Sequence, residues 1–142
     1  MLGVIEFGMS LQIEDYHALG AFRYAVRKFL RFSKTVLASV ELTPEQYEVL
    51  LAVKTHAGPN SINIGYVSER LQVKHHTAVS LIDKLAAKNL VARKRSSKDR
   101  RQVHIKLTQR GNSVLSKVAT IHRREMRQRS SEMIKTLRRL QK

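Results

Sequence analysis

The sequence predicts a mainly helical α+β domain, and three observations carry that prediction. Long amphipathic patterns open and close the chain. Short helical patterns rich in small and apolar residues fill its middle, and two strand-like runs, 91–95 and 103–108, flank the basic stretch 96–102. The last of these reads as a cationic hairpin. Because the helical pattern 77–90 stands immediately before it, the layout is that of a winged helix-turn-helix, which meets DNA through both grooves at once.

Between residues 15 and 40, Leu19, Phe22, Val26, Phe29, Val36 and Val40 recur at spacings built from three and four, with Arg23, Arg27, Lys28, Arg31 and Lys34 between them. That periodicity is one long amphipathic helix with a coiled-coil-like stripe, its register interrupted by Ser33. Leu42-Thr43-Pro44-Glu45-Gln46 is a helix start: Thr43 as N-cap, Pro44 at the first helical position and Gln46 three residues on complete a capping box. The second helix runs to about Lys54, burying Tyr47, Leu50 and Leu51, and His56-Ala57-Gly58-Pro59-Asn60 ends it because Gly and Pro disfavour helix.

Ile62 and Ile64 read as a brief strand able to pair with the hairpin, 65–71 as a short helix with Val67 and Leu71 inward, and Gln72-Val73-Lys74 as a turn. The next helix, 75–88, puts Val79, Ile82, Leu85 and Ala86 on its buried face and His75, His76, Thr77, Ser80, Asp83 and Lys84 outward. Asn89 tolerates the left-handed C-terminal conformation that Gly more often supplies. In the second hairpin strand Val103, Ile105 and Leu107 alternate with His104, Lys106 and Thr108, one face toward the core and one toward water. Thr108 caps a last helical tract whose stripe is Val114, Leu115, Val118 and Ile121. The charged cluster 123–129 reads as an interruption, and Met133, Leu137 and Leu140 as a final short helix. The single domain, 1–142, thus divides into a winged core, 42–108, that closes on itself and two flanking helical segments, 11–41 and 109–142. The flanking stripes lack partner surface and read as halves of a dimer interface.

A chain of 142 residues with 42% hydrophobic content is long enough for one core. Its 27 Lys and Arg against 11 Asp and Glu give +16, unevenly: residues 1–90 hold 10 basic and 8 acidic side chains, residues 91–142 hold 17 and 3, or +2 against +14. A field so lopsided attracts a polyanion, and nucleic acid, which releases counterions on binding, is the most general such partner. A solvated basic tail is the plainer reading. The absence of cysteine excludes disulfides, thiolate metal sites and a thiol switch within the chain. Residues 1–10 lack the basic and apolar regions of a signal peptide, and no run approaches the ~18 apolar residues of a membrane span, so a cytoplasmic protein is expected.

Taken together, Leu42-Thr43-Pro44-Glu45-Gln46-Tyr47 with Leu50-Leu51, Val67-Ser68-Glu69-Arg70-Leu71, the Leu85-x4-Leu90-Val91 junction and Asp99-x-Arg101-x5-Leu107-Thr108-x2-Gly111 resemble the MarR family of bacterial winged-helix transcription regulators. The likeness spans about 11–135, and the Asp-x-Arg…Leu-Thr-x2-Gly spacing is its specific part. It implies a homodimer built from the N- and C-terminal helices, a recognition helix in the major groove and a wing-tip arginine in the minor groove. It also implies a small organic anion or phenol as effector, lodged between dimer helices and winged core. Asn89 departs from the Gly usual in the family, and the C-terminal helix reads as short.

On that resemblance Arg101 is the wing-tip residue, since a guanidinium fits a narrow minor groove and its enhanced negative potential. Asp99 then either holds Arg101 or Arg100 by a charge-assisted bond or simply forms the turn. Lys74, His75, His76, Thr77, Ser80 and Lys84 occupy the outward positions of the recognition helix, and which of them reads a base is left open. Arg93, Lys94, Arg95, Lys98, Arg100 and Lys106 suit phosphate contact or general field. His17, Phe22, Phe29 and Phe32 are the residues assigned to effector lining. Neighbouring His75 and His76 point about 100° apart on a helix with no carboxylate or thiol to complete a set, so no metal and no cofactor are expected. The expected function is a homodimeric, sequence-specific regulator of a palindromic double-stranded operator, a ligand-responsive repressor. The rival is an architectural protein that coats DNA without sequence preference. No nucleophile–base set or phosphate-cradling Gly loop points to an enzyme.

Overall fold

The computed structural model describes residues 10–56, 62–95 and 103–142. The elements are α1 (Ile13–Ala38), α2 (Pro44–Thr55), β1 (Ile62–Asn63), α3 (Ile64–Leu71), α4 (His75–Ala87), β2 (Val91–Arg95), β3 (Val103–Leu107) and α5 (Gln109–Gln141). Two compact units result, one of residues 33–122 and one of the first part of the chain, to residue 32, with 123–142.

In the first unit the sheet order is β1-β3-β2, all antiparallel, with Ile62 opposite Ile105, Arg93 opposite Ile105 and Val91 opposite Leu107. Its core gathers Val49 and Leu50 from α2, Val67 from α3, Ala78, Ile82 and Leu85 from α4, and Ile62, Val91 and Ile105 from the sheet. Leu37, Leu115 and Val118 are buried in the same cluster. The winged core therefore reaches beyond the expected 42–108, because the last turn of α1 and the first turns of α5 supply apolar surface that the smaller segment would leave wet.

Local signals fix most element ends. The Gln46 N–H donates to Thr43 Oγ1 and the Thr43 N–H to Gln46 Oε1, both at 3.1 Å, closing the expected capping box with Pro44 in the first turn. Asn89 takes φ 61°. The Gly111 N–H donates to Thr108 Oγ1 at 2.9 Å, so Thr108 caps α5 as read from the sequence. The Thr108 hydroxyl in turn donates to the Asn89 carbonyl at 2.7 Å, and the Thr108 N–H to the Leu90 carbonyl at 3.1 Å. Gly111 sits so close to Leu90 that a Cβ there would stand 2.0 Å from the Leu90 oxygen. This knot couples Thr108 and Gly111 to the strand entry at Leu90.

Several expectations are corrected. Helix α5 runs unbroken for 33 residues through the charged cluster 123–129: the stretch is rich in Arg, Gln, Glu and Met, good helix formers, and charge on a solvated face does not break a helix. The C-terminal helix is accordingly not short. Ile64 opens α3 rather than extending β1, because Asn63 caps that helix, accepting the Tyr66 N–H at 2.8 Å. On α4 the buried residue of the first turn is Ala78 rather than Val79, which is half-buried. The helix break expected at residues 57–60 and the wing tip, 96–102, lie outside the described residues.

Ser33, expected to interrupt an apolar stripe, is buried and has a purpose. His122 Nε2 lies 2.7 Å from Ser33 Oγ, and Nδ1 lies 2.8 Å from the Val118 carbonyl. A carbonyl only accepts, so Nδ1 carries a proton, and Nε2 and the serine hydroxyl share the second hydrogen bond. The His122 ring also stacks on Tyr47 at 4.8 Å, and burial raises the Tyr47 phenol above its ordinary value.

In the other unit Asp15 pairs with Arg139 at 3.5 Å and Glu125 with Arg129 at 2.6 Å. Among the described residues, every large apolar side chain that stays exposed belongs to this unit, Ile13, Tyr16 and Leu30 on α1 and Ile134 and Leu137 on α5 being examples. Among the described residues no helix is long and apolar enough to cross a membrane.

Candidate nucleic-acid interface

Helix α3, the turn at Gln72 and helix α4 form the helix-turn-helix. Gln72 adopts φ 55°, ψ 46°, the left-handed conformation that ends α3, and its N–H reaches the Ser68 and Glu69 carbonyls. Lys74 stands at the N-cap of α4 without a side-chain cap, and the first turn that follows carries no acidic residue. The unsatisfied backbone N–H groups and the helix dipole make that end electropositive, a setting suited to phosphate.

With Ala78, Ile82 and Leu85 buried, the opposite ridge of α4 carries His76, Ser80, Asp83 and Lys84, all exposed. Lys74 and His75 are also exposed, whereas Thr77 is half-buried, so its side chain is the least available of the predicted set. The wing stands beside this helix in the same unit. In β2 only Val91 is buried, and Ala92, Arg93, Lys94 and Arg95 are exposed; in β3 Ile105 is buried and Lys106 exposed. Asp83 and Arg93 form an ion pair, with side chains 50% and 46% exposed, that ties α4 to β2. At that exposure the pair contributes little stability. Its effect is to hold one wing cation in place and to neutralise the one acid on the α4 ridge.

Sequence reasoning missed this pair, since Asp83 and Arg93 meet only after the strand folds back on the helix. It missed Lys88 as well, whose ammonium contacts the Glu41 carbonyl and lies 3.2 Å from Gln46 Oε1, fastening the end of α4 to the turn before α2. Lys98, Asp99, Arg100 and Arg101 lie outside the described residues. Of the four residues assigned to effector lining, Phe22 lines a hollow of about 290 Å³ with Arg23, Val26, Arg27 and Leu30. Phe29 and Phe32 are half-buried, and His17 is exposed.

A family model described as transcriptional regulator SarA/Rot matches residues 31–118, the stretch that contains the helix-turn-helix, the wing and the Thr108–Gly111 knot. The chain belongs to the SarA/Rot family of transcriptional regulators. This SarA/Rot-family chain is 34% identical over 87 residues to the HTH-type transcriptional repressor MdtR of Bacillus subtilis, covering 59% of the chain and 54% of MdtR. It is 30% identical over 100 residues to the HTH-type transcriptional regulator SarZ of Staphylococcus aureus, covering 70% and 66%. It thus spans between half and two thirds of the length of these relatives. AbsC, a MarR family transcriptional regulator from Streptomyces coelicolor, shares its fold with a TM-score of 0.72 at 21% identity, covering 85% of this chain and 81% of AbsC. A Staphylococcus aureus MepR mutant bound to an oligodeoxyribonucleotide does so with a TM-score of 0.68 at 22% identity, covering 88% and 97%. The winged-helix fold and the MarR-type resemblance expected from the sequence are borne out.

Proposed function

We propose that this SarA/Rot-family chain is a homodimeric, sequence-specific DNA-binding repressor that seats two copies of α4 in successive major grooves of a palindromic operator. The observation that carries the reading is the outer ridge of α4, where His76, Ser80 and Lys84 are exposed behind the electropositive Lys74–His75 end. In this reading Lys74, His75, His76, Thr77, Ser80 and Lys84 meet base edges and phosphates, and Arg93, Arg95, Lys98 and Arg100 meet phosphates. Arg101 enters the minor groove, with Asp99 holding a neighbouring guanidinium. The apolar side chains left exposed in the unit formed by the chain to residue 32 and residues 123–142 support the homodimer, which sets half-sites about one turn, ~10 bp, apart. The hollow beside Phe22, with two guanidinium-bearing neighbours, suits a small organic anion or phenol as effector. Its occupation would change operator affinity through the spacing of the two recognition helices.

A gel-shift titration tests the reading. Arg101→Ala is expected to weaken operator binding by about 1 to 3 kcal/mol with the fold intact. Unchanged affinity would remove the wing from the mechanism, and equal competition by unrelated duplex would favour the architectural reading instead.

A further inference from the structure

More than half of the basic excess of the C-terminal part of the chain lies outside the wing. Residues 109–142 hold ten Lys and Arg against two acids, a net of +8, while residues 91–108 hold seven against one, or +6. Within the unit of residues 123–142 and the start of the chain, Arg124, Arg127, Lys135 and Arg138 of α5 are all exposed. At about 100° per residue they fall within an arc of roughly 80°, with Ser131 among them, and they extend about 21 Å along the helix axis. Glu125 and Glu132 lie outside that arc, and Glu125 is bound to Arg129. The large apolar residues Met126, Ile134, Leu137 and Leu140 lie outside that arc, Ile134 about 20° from its edge.

This pattern is costly as a mere solvated face. Arg124 and Arg127, and again Lys135 and Arg138, are like charges three residues apart, each pair repulsive by a few tenths of a kcal/mol. A face selected for solubility interleaves both signs, as α5 itself does at Glu125 and Arg129. We infer that this outer face of α5 is a second surface for the phosphate backbone of a nucleic-acid duplex, separate from the recognition helix and wing. A row of cations without base-reading amides matches a ladder of phosphates and supplies affinity without sequence preference. A lipid surface fits less well, because the apolar side chains that an interfacial helix would need, Ile134 at the border of the arc and Leu137 and Leu140 beyond it, are the ones the proposed dimer would cover. The apolar side that would join two protomers borders this arc without entering it, with Arg124 and Lys135 farthest from that side.

The inference rests on the proposed DNA-binding reading only for its choice of polyanion, and the experiment separates the two. Binding of the full chain to selected operator and to scrambled duplex is measured between about 50 and 200 mM salt. The comparison is with a variant carrying Arg124→Gln, Arg127→Gln, Lys135→Gln and Arg138→Gln. Losing four phosphate contacts per protomer makes the log–log salt slope shallower by roughly 3 to 4 for each protomer bound, about 7 for a dimer, so the variant loses on the order of a hundredfold less affinity per protomer across that range, with its operator-to-scrambled ratio unchanged. A general field from distant cations would not mimic this, since charges more than ~10 Å away are screened at 0.1 M. The triple exchange Arg124→Lys, Arg127→Lys and Arg138→Lys keeps the charge and should keep the parent slope. Should the fourfold variant fail to fold, the pairs Arg124→Gln with Lys135→Gln and Arg127→Gln with Arg138→Gln are each expected to give half the change. An unchanged slope in a protein that still prefers its operator overturns the inference. So does an unchanged slope with loss of cosedimentation on phosphatidylserine vesicles, which assigns the face to lipid. Absence of any operator preference in the parent chain sinks the proposed function instead.

Discussion

Replacing Gly111 with alanine isolates the knot between the wing and α5. A Cβ at residue 111 would stand 2.0 Å from the Leu90 oxygen and 3.0 Å from the Leu90 carbonyl carbon. Relaxed carbon–oxygen contacts begin near ~3.3 Å, so something must move by more than an ångström. Both sides are held. The Leu90 oxygen accepts the Thr108 N–H, and the Gly111 N–H is bound to Thr108 Oγ1, whose own proton goes to the Asn89 carbonyl. Two effects oppose each other: alanine is better than glycine inside a helix by about 0.8 to 1 kcal/mol, whereas overpacking costs about 1 to 3 kcal/mol or more. With backbone as the obstacle, the clash takes the upper part of that range, and Gly111→Ala is expected to lower stability by about 1 to 2 kcal/mol net. Gly20, also helical, is the reference, because a Cβ there meets nothing within 4 Å. Gly20→Ala is expected to raise stability by about 0.5 to 1 kcal/mol. Urea unfolding followed by circular dichroism, at matched protein concentration, reads both. Parent-like stability for Gly111→Ala, or equal signs for the two variants, refutes the reasoning.

Other outcomes follow from the same contacts. Thr43→Ala removes one half of the capping box of α2 and should cost about 1 kcal/mol in urea unfolding. Ser33→Ala leaves buried His122 Nε2 facing a methyl group, with an expected loss of about 1 to 3 kcal/mol at neutral pH in the same assay. Burial, and then the neighbouring Glu45, raise the Glu48 carboxyl above its ordinary range. A raised folded value means that its contribution to stability is fullest below the unfolded value and declines as pH rises through the folded one. Glu48→Gln should therefore be stabler than the parent at pH 7, and the difference should shrink toward pH 4, as unfolding curves at the two pH values would show.

Much of this fold is legible because its decisive signals are local. Thr43 and Gln46 sit three residues apart, Thr108 precedes Gly111 by three, and Asn89 directly follows the last turn of α4; each pair or position is readable without knowing the rest of the chain. The exposed ridge of α4 is legible for a related reason, since a period of 3.6 residues assigns faces once one buried residue is known. What resisted reading was non-local. Ser33 and His122 are 89 residues apart, and neither residue type announces a partner. Arg93 looked like free cationic surface until the strand brought it to Asp83. The charged stretch of α5 reads as a break only when charge density outweighs the lack of any Gly or Pro after Gly111, and the helix runs through it. The preference for Ala78 over Val79 in the core depends on close approach between elements, which periodicity alone does not resolve.

Among the described residues, the strand order β1-β3-β2 leaves β3 paired on both sides and β2, at the edge, paired on one side only. Such an edge offers its peptide groups to any extended segment that arrives, a second copy of the same hairpin included. Arg93, Lys94 and Arg95 line it, and in a parallel or antiparallel approach of two copies those residues would meet their own kind. The cations that suit a phosphate rail thus also disfavour the joining of a further strand at β2.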